Sequence, residues 1–591
     1  MNNPHNNHHP KEGSIPMQKK LLAVVAAGAV AASIFAPAAQ AATKKKTTTT
    51  KKATTTKAPA ATAAPTTVAT APAPKAGALK TGGTLVNVGT FSSGDPTTAG
   101  DPGLSSVVNE SQIANMLFDG LMEIDYDTNE LKPNVAEGFP TVNGTTLTFK
   151  IRKGVKFSNG EDVVPSSFKC SWDRTVGATL ASPLTYHFDS IAGKKEVDDG
   201  KAKSISGVIA NDGAMTLTVE LLRPYADFIA ETQHTVFSPM TKAGCAAGRT
   251  YHDGIMIGNG PFKMAEPWKR GQYIKMIRNE DYWGGINGHN AYLDGVEFKI
   301  VKDELAALNV FESGQADITG TVAGRFTELT KKYGDTAAKK PQLVIQYFGF
   351  NWEDKVVGGF ANAKLRQAIS LAVDRKRIND AIFDGSRKEA TGFTPPGIAG
   401  TKIDAYGIAT TSNVALAKKL LAEYGKDAPT IKLRIANTPA NVNIASIIKN
   451  SVKTAIDVDL DIEADNPTGY FDRLRANPGQ AFRAGWAADF TGYDNFMYPL
   501  FSSESIGGDN LFKFGNAEVD GLIAEARRTA DANKRNALYQ RAEAVVLGQG
   551  IVVPLWWNKW STLLSAKVNA EAYAKAQGPT AFVDYNEVAL K

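Results

Sequence analysis

The sequence predicts an α/β protein with a strand-rich segment in its first half. Strands alternate with helices in the second half of the chain, which is typical of an α/β layer. Residues 126–250 instead carry several short segments in which apolar and polar residues alternate. The 591 residues are enough for two or three domains with separate cores.

The N-terminus has the pattern of an export signal. Lys19 and Lys20 precede an apolar run over 21–39, and Ala-Gln-Ala at 39–41 fits the small-x-small pattern that signal peptidase cuts. We therefore predict that residues 1–41 are a signal peptide of the general secretory route. The alternative is an uncleaved membrane anchor, since the run is long enough to span a bilayer. No Cys lies near the cleavage site, so an N-terminal lipid anchor is not encoded there.

Residues 42–80 consist almost entirely of Thr, Ala, Pro and Lys, a composition that cannot bury a core. They are predicted to be a disordered linker, either a simple spacer or a cationic tether to anionic lipid or wall polymer. Residues 1–80 contain eleven Lys against one Glu, whereas the whole chain is +6. The body is therefore mildly acidic, and its charge gives no reason to propose nucleic acid as a partner.

The elements of the body follow from apolar periodicity and from helix caps. Half-buried strands are predicted at 83–90 and 145–152, around Val208, at 217–221 and at 262–265. Helices are predicted at 111–122, 364–383, 413–424 and 518–527, with Gly425 ending the third and Asn516 capping the fourth. A late strand at 551–557 contains Pro554, which indicates a sheet edge or a bulge.

The sequence lacks the motifs that carry catalysis. There is no GxSxG, no HExxH and no CxxC, and no pair of the four His in the body has HxxxH spacing. We therefore expect no enzyme activity, no cofactor and no metal site. Residues 258–262, GNGPF, match neither nucleotide-binding glycine pattern and are read as a structural turn. The only two Cys, Cys170 and Cys245, are predicted to form one disulfide, the alternative being a free nucleophile.

The segment 482–490, FRAGWAADF, carries the strongest functional signal. Asp489 and Arg483 lie six residues apart, and a fixed carboxylate with a fixed guanidinium suits a ligand that has a positive and a negative end. Unmodified peptides are such ligands. In an extended strand, residues 483, 485, 487 and 489 would face the same side. The alternative is that both side chains lie at the surface and pair elsewhere.

Several segments, in order, resemble the extracellular solute-binding proteins of peptide ABC importers, the dipeptide and oligopeptide receptor group (solute-binding family 5). Residues 118–121 resemble its FDGL or FEGL segment, and 147–160 its TFxLRxGVKFxDG stretch. The other matches are GNGPF at 258–262, RN-DYW and LD over 278–294, AKLRQAISLAVDRKRI at 363–378, PPG at 395–397, AKKLLAEYG at 417–425 and FRAGWAADF at 482–490.

This resemblance implies a two-lobed, periplasmic-binding-protein-like clamshell with an extra strand-rich subdomain in lobe I. Lobe I would comprise residues 82–125, 251–335 and 545–591, the inserted subdomain 126–250, and lobe II 336–544. Ligand would be enclosed between the lobes and delivered to a membrane permease by a protein that is exported to the periplasm or to the outer face of the cell membrane or cell wall. We expect a monomer, and the hinge would close by a ligand-driven population shift.

The resemblance also implies roles for single residues. Asp489 would receive the α-ammonium of a peptide, and Arg483 would meet a carboxylate. Trp486 would pack beside the ligand or fill the core, and Ala487 stands where oligopeptide receptors carry Cys. Further cleft candidates, for each of which a core or loop role is an equal alternative, are Tyr347, Asn351, Phe91, Ser92, Tyr186 and His187.

Two other functions stay open at this stage. The same family architecture serves non-peptide solutes such as metal chelates, haem, opines and oligosaccharides, and fold alone does not fix function. A surface sensor or adhesion module that uses the long cationic segment is the third alternative. The Asp489 and Arg483 pair favours a small zwitterionic ligand over a neutral sugar.

Overall fold

The computed structural model describes residues 79–334, 342–402 and 412–591, so the predicted signal peptide and nearly all of the predicted linker lie outside it. The strands are β1 (Thr84–Phe91), β2 (Met122–Ile124), β3 (Leu131–Pro133), β4 (Thr141–Asn143), β5 (Thr146–Lys150), β6 (Val208–Asn211), β7 (Thr216–Glu220), β8 (Phe262–Met264), β9 (Tyr273–Arg278), β10 (Gly295–Ile300), β11 (Ile318–Gly320), β12 (Val344–Phe350), β13 (Lys388–Glu389), β14 (Ile431–Ala436), β15 (Leu460–Asp465), β16 (Ala481–Ala487), β17 (Val552–Trp557) and β18 (Thr562–Leu564).

The helices are α1 (Val108–Leu117), α2 (Pro165–Val176), α3 (Lys194–Asp198), α4 (Phe228–Glu231), α5 (Lys242–Ala246), α6 (Glu304–Glu312), α7 (Phe326–Tyr333), α8 (Ala363–Ala372), α9 (Arg375–Phe383), α10 (Val414–Tyr424), α11 (Pro439–Ile456), α12 (Tyr470–Ala476), α13 (Asp494–Phe501), α14 (Ala517–Arg528), α15 (Ala532–Gly548) and α16 (Ala570–Ala576). Short 3₁₀ turns lie at Thr185–Phe188, Thr235–Phe237, Tyr251–Asp253, Gly285–Asn287, Phe360–Asn362 and Ser503–Ser505. No helix among these is long and apolar enough to cross a membrane.

The first lobe is built on a six-stranded sheet in the order β18-β11-β1-β10-β9-β8. β1 is parallel to both of its neighbours, β10 and β11, and the outer pairings are antiparallel. Alternation along β1 buries Leu85 and Phe91, and Phe91 packs edge-on against Phe298 of β10. Its core is separate from the core of the second lobe.

The second lobe is built on another six-stranded sheet, in the order β13-β17-β12-β16-β14-β15. β12 is central and pairs antiparallel with both β16 and β17. The sequence analysis assigned everything after residue 544 to the first lobe. That boundary needs correction, because β17 pairs with β12 and β13 of the second sheet, and only β18 after it pairs with β11 of the first. The register skips Leu555 at Gln346–Tyr347, so Pro554 lies at the bulge that its position predicted.

The strand-rich segment forms a subdomain with its own core. Its sheet has the order β4-β5-β7-β6 and is antiparallel throughout, which suits the alternation read from the sequence. The rings of Phe149, Phe168 and Trp172 are fully buried in its core. A disulfide joins Cys170 of α2 to Cys245 of α5, as predicted.

Two predicted helices differ from the observed ones. The helix predicted at 364–383 is two helices, because Val373 takes an extended conformation and the Asp374 side chain caps α9 by accepting from Arg377 N. The helix predicted at 111–122 ends at Leu117, since the chain turns there and pairs as β2. The caps at Asn413, Gly425 and Asn516 are confirmed.

The GNGPF turn at 258–262 packs against the end of α1 and the FDGL segment that follows it. A Cβ on Gly258 would lie 1.8 Å from the carbonyl oxygen of Leu117, so only glycine allows this approach. Between the glycines, the Asn259 side chain accepts from Asp119 N and donates to Asp119 O, each at 3.1 Å. The turn is therefore hydrogen-bonded to the FDGL segment, which explains why these two motifs occur together.

We predict that removing the disulfide destabilises the inserted subdomain without impairing ligand binding. The bridge joins residues 75 apart, and a cross-link of that span contributes about 2–4 kcal/mol through loss of unfolded-state entropy. The double variant Cys170→Ala/Cys245→Ala should therefore unfold at lower denaturant. Circular dichroism checks this against wild type with and without reductant, and an unchanged midpoint contradicts it.

Candidate functional site

A cavity of about 650 Å³ lies between the two large sheets and the inserted subdomain. The first lobe lines it with residues at the ends of β1 and β11, such as Thr90 and Thr319. The second lobe lines it along β16, and the inserted subdomain contributes Tyr186 and His234. All three parts of the fold therefore meet around one space, which is within the usual range of about 300–1,000 Å³ for ligand sites.

β16 provides the most exposed wall of the cavity. β14 pairs with only its first two residues, Ala481 and Phe482, while β12 covers its other edge completely. From residue 483 onward, β16 therefore has one edge without a neighbouring strand. Arg483, Gly485 and Ala487 line the cavity, but Ala484 and Trp486 between them line it too, so the lining does not follow the predicted alternation. An extended main chain could add to such an edge.

Asp489 follows β16 directly and is oriented by α13. The side chain of Asn495 accepts from Asp489 N at 3.1 Å and donates to Asp489 Oδ2 at 2.9 Å. The other oxygen, Oδ1, lies 3.6 Å from His234 Nε2. Burial raises the pKa of Asp489 to about 6, although the charge on His187 and the bond from Asn495 act in the opposite direction. One oxygen is thus held by Asn495, and the other is available to a ligand in the cavity that Asp489 lines.

Behind Asp489, three aromatic rings stack in a row. The centroids of Tyr186 and His187 are 4.3 Å apart, and those of His187 and His234 are 4.6 Å apart with planes inclined by 19°. A ring nitrogen of each His and a carboxylate oxygen of Asp489 lie within 4.8 Å of one another. The sequence analysis named His187 but not His234, because the spacing of 47 residues gives no motif.

The stacked geometry of the two imidazoles does not suit a metal ion. A ring nitrogen binds a metal in the plane of its ring at about 2.0–2.1 Å. The planes of His187 and His234 are nearly parallel and face each other, so their nitrogens point side by side instead of converging on one ion. In addition, His234 Nδ1 accepts from Val236 N at 3.2 Å, which puts the ring proton of the neutral form on Nε2.

Arg483 is a buried cation with an incomplete set of partners. Its Nη2 donates to Gln346 Oε1 at 3.1 Å, its guanidinium lies 5.3 Å from the ring centre of Trp556, and its Nε has no hydrogen-bond partner. No carboxylate of the described ranges forms an ion pair with it. Burial lowers its pKa to about 10. Gly485 allows the contact with Gln346, because a Cβ there would lie 2.5 Å from the Gln346 amide.

The structure brings together six of the ten predicted site residues. Asp489, Arg483, Ala487, Tyr347 and Tyr186 line the cavity, and Trp486 does so while it also packs on the core and donates to Asn495 Oδ1. Four others lie outside the lining. They are Phe91, buried against Phe298; Ser92, in the following turn; Asn351, bonded to Gly479 O and Glu353 N; and His187, behind its neighbouring rings.

The sequence analysis missed polar residues that only the fold brings to the cavity. Asp509 and Arg475 line it as a buried ion pair at 2.9 Å, and Tyr186 donates its hydroxyl to Asp509 Oδ2 at 2.9 Å. Gln346 lines it beside Arg483. Gln346 lies one residue before the predicted site residue Tyr347, where alternation predicts the opposite face, so none of these residues has a signal in the sequence.

The inserted subdomain also contacts the second lobe away from the cavity. Tyr225 donates to Asp494 Oδ2 at 2.6 Å, and Tyr498 donates to Asp189 Oδ2 at 2.9 Å. The Arg527 guanidinium lies between these two tyrosine rings, at 4.0 Å and 3.8 Å from their centres, and its Nε is 3.4 Å from Asp494 Oδ2. These contacts hold the subdomain and the second lobe together across the cleft.

Comparison with known proteins places the chain in a family. Residues 130–508 match the family described as "Bacterial extracellular solute-binding proteins, family 5 Middle", which is more than half of the chain. The chain belongs to this family. The Bacillus subtilis (strain 168) oligopeptide-binding protein OppA is 26% identical over 469 residues, covering 77% of this chain and 84% of that protein. The Escherichia coli (strain K12) periplasmic murein peptide-binding protein MppA is 28% identical over 459 residues, covering 76% and 83%.

Solved structures confirm the predicted α/β clamshell fold of this family-5 protein. The E. coli murein tripeptide binding protein MppA matches with a TM-score of 0.76 at 25% identity, over 87% of this chain and 99% of that one. Haemophilus influenzae OppA in complex with RPPGFSPFR matches with 0.75 at 24% identity, over 87% and 100%. An unliganded open form of MppA gives only 0.62. The lobes of the present structure are therefore not arranged as in that open form.

We predict that the tyrosine contacts across the cleft stabilise this closed arrangement. The double variant Tyr225→Phe/Tyr498→Phe keeps both rings but removes two hydrogen bonds to carboxylates, each contributing about 1.5–3 kcal/mol. The ligand-free protein should then have a larger radius of gyration in small-angle X-ray scattering. Tyr333→Phe is the control, because that hydroxyl donates to Glu312 within the first lobe. Identical scattering from the double variant and wild type contradicts the prediction.

Proposed function

We propose that this protein is the extracytoplasmic binding component of an ABC importer, that it captures short peptides between its lobes, and that it delivers them to a membrane permease. The observation that carries the proposal is the pair of incompletely paired charges in one cavity, Asp489 Oδ1 and Arg483. Leaving a charge buried without a partner costs several kcal/mol, so such groups are retained where a ligand completes them. A peptide completes both, since it has an ammonium at one end and a carboxylate at the other.

The open edge of β16 supports the same reading. From Arg483 onward no strand pairs with the edge of β16 opposite β12. The first carbonyl there, Arg483 O, accepts from the Tyr470 hydroxyl at 2.9 Å, and Gly485 and Ala487 follow along the cavity. A peptide that pairs with this edge is recognised through its main chain, which is common to all sequences. The relatives agree with this class of ligand, since their names include oligopeptide-binding and murein peptide-binding proteins. Relatives do not establish the ligand of this chain, so the ligand is to be identified directly.

Native mass spectrometry of the purified full chain tests the proposal most simply. Ligand that is released on denaturation is expected as a ladder of peptide masses. A single non-peptide mass, or no binding from an added peptide library, overturns the peptide assignment and leaves a non-peptide solute or a surface role as the function. The fold and family are unaffected by that result.

We predict that Asp489→Asn abolishes high-affinity binding of a peptide with a free amino terminus. The amide has the same shape but cannot neutralise the ammonium, and losing a buried charge partner costs about 2–5 kcal/mol, equivalent to a loss of about 30-fold or more. Isothermal titration with trialanine and its N-acetyl derivative measures this. Asp457→Asn is the control, because that exposed carboxylate pairs with Lys453 on the surface of the second lobe and does not line the cavity. An unchanged affinity for trialanine contradicts the assignment of Asp489.

We predict that Arg483 distinguishes a peptide acid from the corresponding C-terminal amide. Wild type should bind the acid more tightly by about tenfold or more for the peptide length whose carboxylate reaches Arg483. Arg483→Gln keeps a donor near Gln346 but has no charge, so this preference should disappear. Titrating acid and amide forms of di- to pentapeptides into both proteins gives the difference directly. If the variant keeps the preference at every length, Arg483 does not receive the carboxylate.

A further inference from the structure

His187 is buried behind the proposed ammonium subsite, and its two ring nitrogens have unequal surroundings. Its side chain is 1% exposed and does not line the cavity. Nδ1 is 2.9 Å from Glu231 Oε1, while Nε2 is buried without any hydrogen-bond partner. Glu231 is itself 4% exposed, and its second oxygen is also buried without a partner. Such a pair is costly to bury.

The pair lies beside the one carboxylate that the proposed function requires to be ionised. A ring nitrogen of His187 is within 4.8 Å of an Asp489 carboxylate oxygen. A proton on His187 therefore places a positive charge next to a largely buried carboxylate, where charges interact more strongly than in water. Because the ligand would meet Asp489 from the cavity and His187 lies behind it, the two positive charges approach that carboxylate from different sides.

The ring stack decides which histidine carries that charge. His187 and His234 face each other at 4.6 Å, so protonating both is unfavourable. His234 is held neutral by the bond that its Nδ1 accepts from Val236 N, and burial together with the charge of His187 lowers its pKa well below 6.5. Burial also acts to lower the pKa of His187, but the bond to Glu231 and the carboxylates of Glu231 and Asp489 raise it above 6.5 overall.

We propose that the Glu231–His187 pair is a positioning unit that keeps Asp489 ionised and thereby sets the lowest pH at which peptide is captured. The inference rests on the proposed function, in which Asp489 binds the ligand's ammonium. His187 acts through Asp489 and does not touch the ligand. Glu231 in turn holds the imidazole in place and keeps it protonated. No motif in the sequence links these three residues.

The other titratable groups near the Glu231–His187 pair come from the inserted subdomain and from the second lobe. From the inserted subdomain, Tyr186, Glu231 and His234 face His187. From the second lobe, Asp489 faces it, with Asn495 bonded to Asp489 Oδ2. Further out, Asp509 is paired with Arg475, and Arg527 is paired with Asp494. Asp509 and Asp494 thus each have an arginine partner, although Asp509 still acts to raise the pKa of both His187 and Asp489.

The direction of the pH effect follows from which form of Asp489 binds. Only the ionised carboxylate attracts an ammonium, so affinity falls as pH drops through the pKa of Asp489, which is about 6 in the ligand-free protein. The charge on His187 lowers that pKa. Removing the charge raises it, so the loss of affinity begins at a higher pH. Replacing Glu231 has the same direction, because His187 then loses its proton more easily.

The test is a titration of trialanine into the full chain between pH 5 and pH 7.5, with wild type and His187→Gln. Wild type is expected to lose about tenfold in affinity at pH 5, and the variant about a hundredfold, equivalent to a shift of about one pH unit. Glu231→Gln should shift the profile in the same direction, and it decides the matter if His187→Gln does not fold. His289→Gln is the matched control, because His289 pairs with Glu587 at 2.9 Å outside the cavity lining and should leave the profile unchanged.

A profile that stays in place, or moves to lower pH, in both variants overturns the inference. Carboxyl-¹³C NMR titration of Asp489 in the ligand-free protein separates this outcome from a failure of the proposed function. If wild type binds no peptide but the titration of Asp489 moves to higher pH in His187→Gln, the peptide assignment is wrong and the coupling stands. If peptide binds and the Asp489 titration does not move, the coupling is wrong and the function stands.

Discussion

The free-energy cost of burying the charges of Asp489 and Arg483 is the constraint on which the binding site depends. Asp489 and Arg483 line one cavity, on β16 or just after it. Arg483 Nε has no hydrogen-bond partner, and Asp489 Oδ1 has only His234 Nε2 nearby, at 3.6 Å. Neither arrangement is favourable in isolation, because a carboxylate or a guanidinium removed from water needs an opposite charge or several hydrogen bonds. The fold tolerates the cost where a ligand can complete both ends. Closure and ligand binding are therefore coupled through the same free energy.

The architecture explains how one segment can present both charges. β16 lies inside the second sheet, fully paired on one edge by β12 and released on the other after Phe482. Because β14 stops pairing after Phe482, the rest of β16 forms a wall of the cavity on that edge, while β12 still covers the other edge. α13, which follows, supplies Asn495 to orient Asp489. The charges are thus set on regular elements, which hold geometry better than loops do.

The inserted subdomain is part of the site and not an appendage. It provides Tyr186 and His234 to the lining and carries the Glu231–His187 pair behind it. It also holds the second lobe through the tyrosines on either side of Arg527. Because its core is separate from the cores of the two lobes and its disulfide lies within it, it can move as a unit when the lobes open. Opening would then separate His187 from Asp489 as well as release the ligand.

Much of this was determined by the sequence itself. The alternation of β1, β5 and β7, the caps at Asn413 and Asn516, the bulge at Pro554 and the Cys170–Cys245 pairing all follow from local rules or from residue counts, because each depends on neighbours along the chain or on the absence of alternatives. The ordered motifs predicted the family, and the RAGWAAD segment predicted two of the charged residues of the cavity, Arg483 and Asp489. These two were readable because they lie within one short motif.

The tertiary structure alone decided the rest. Residues as distant as Tyr186, Glu231, Asp489 and Asp509 meet only when the inserted subdomain packs against the second lobe, and no periodicity records such a meeting. For the same reason β17 was predicted in the first lobe but lies in the second. Its six residues are all buried, and nothing in their sequence indicates which sheet they join. Similarly, α8 and α9 were predicted as one helix. The apolar stripe continues across the break between them, at which the Asp374 side chain caps α9. Local patterns specify elements, whereas the pairing of distant elements depends on the free energy of the whole packed structure.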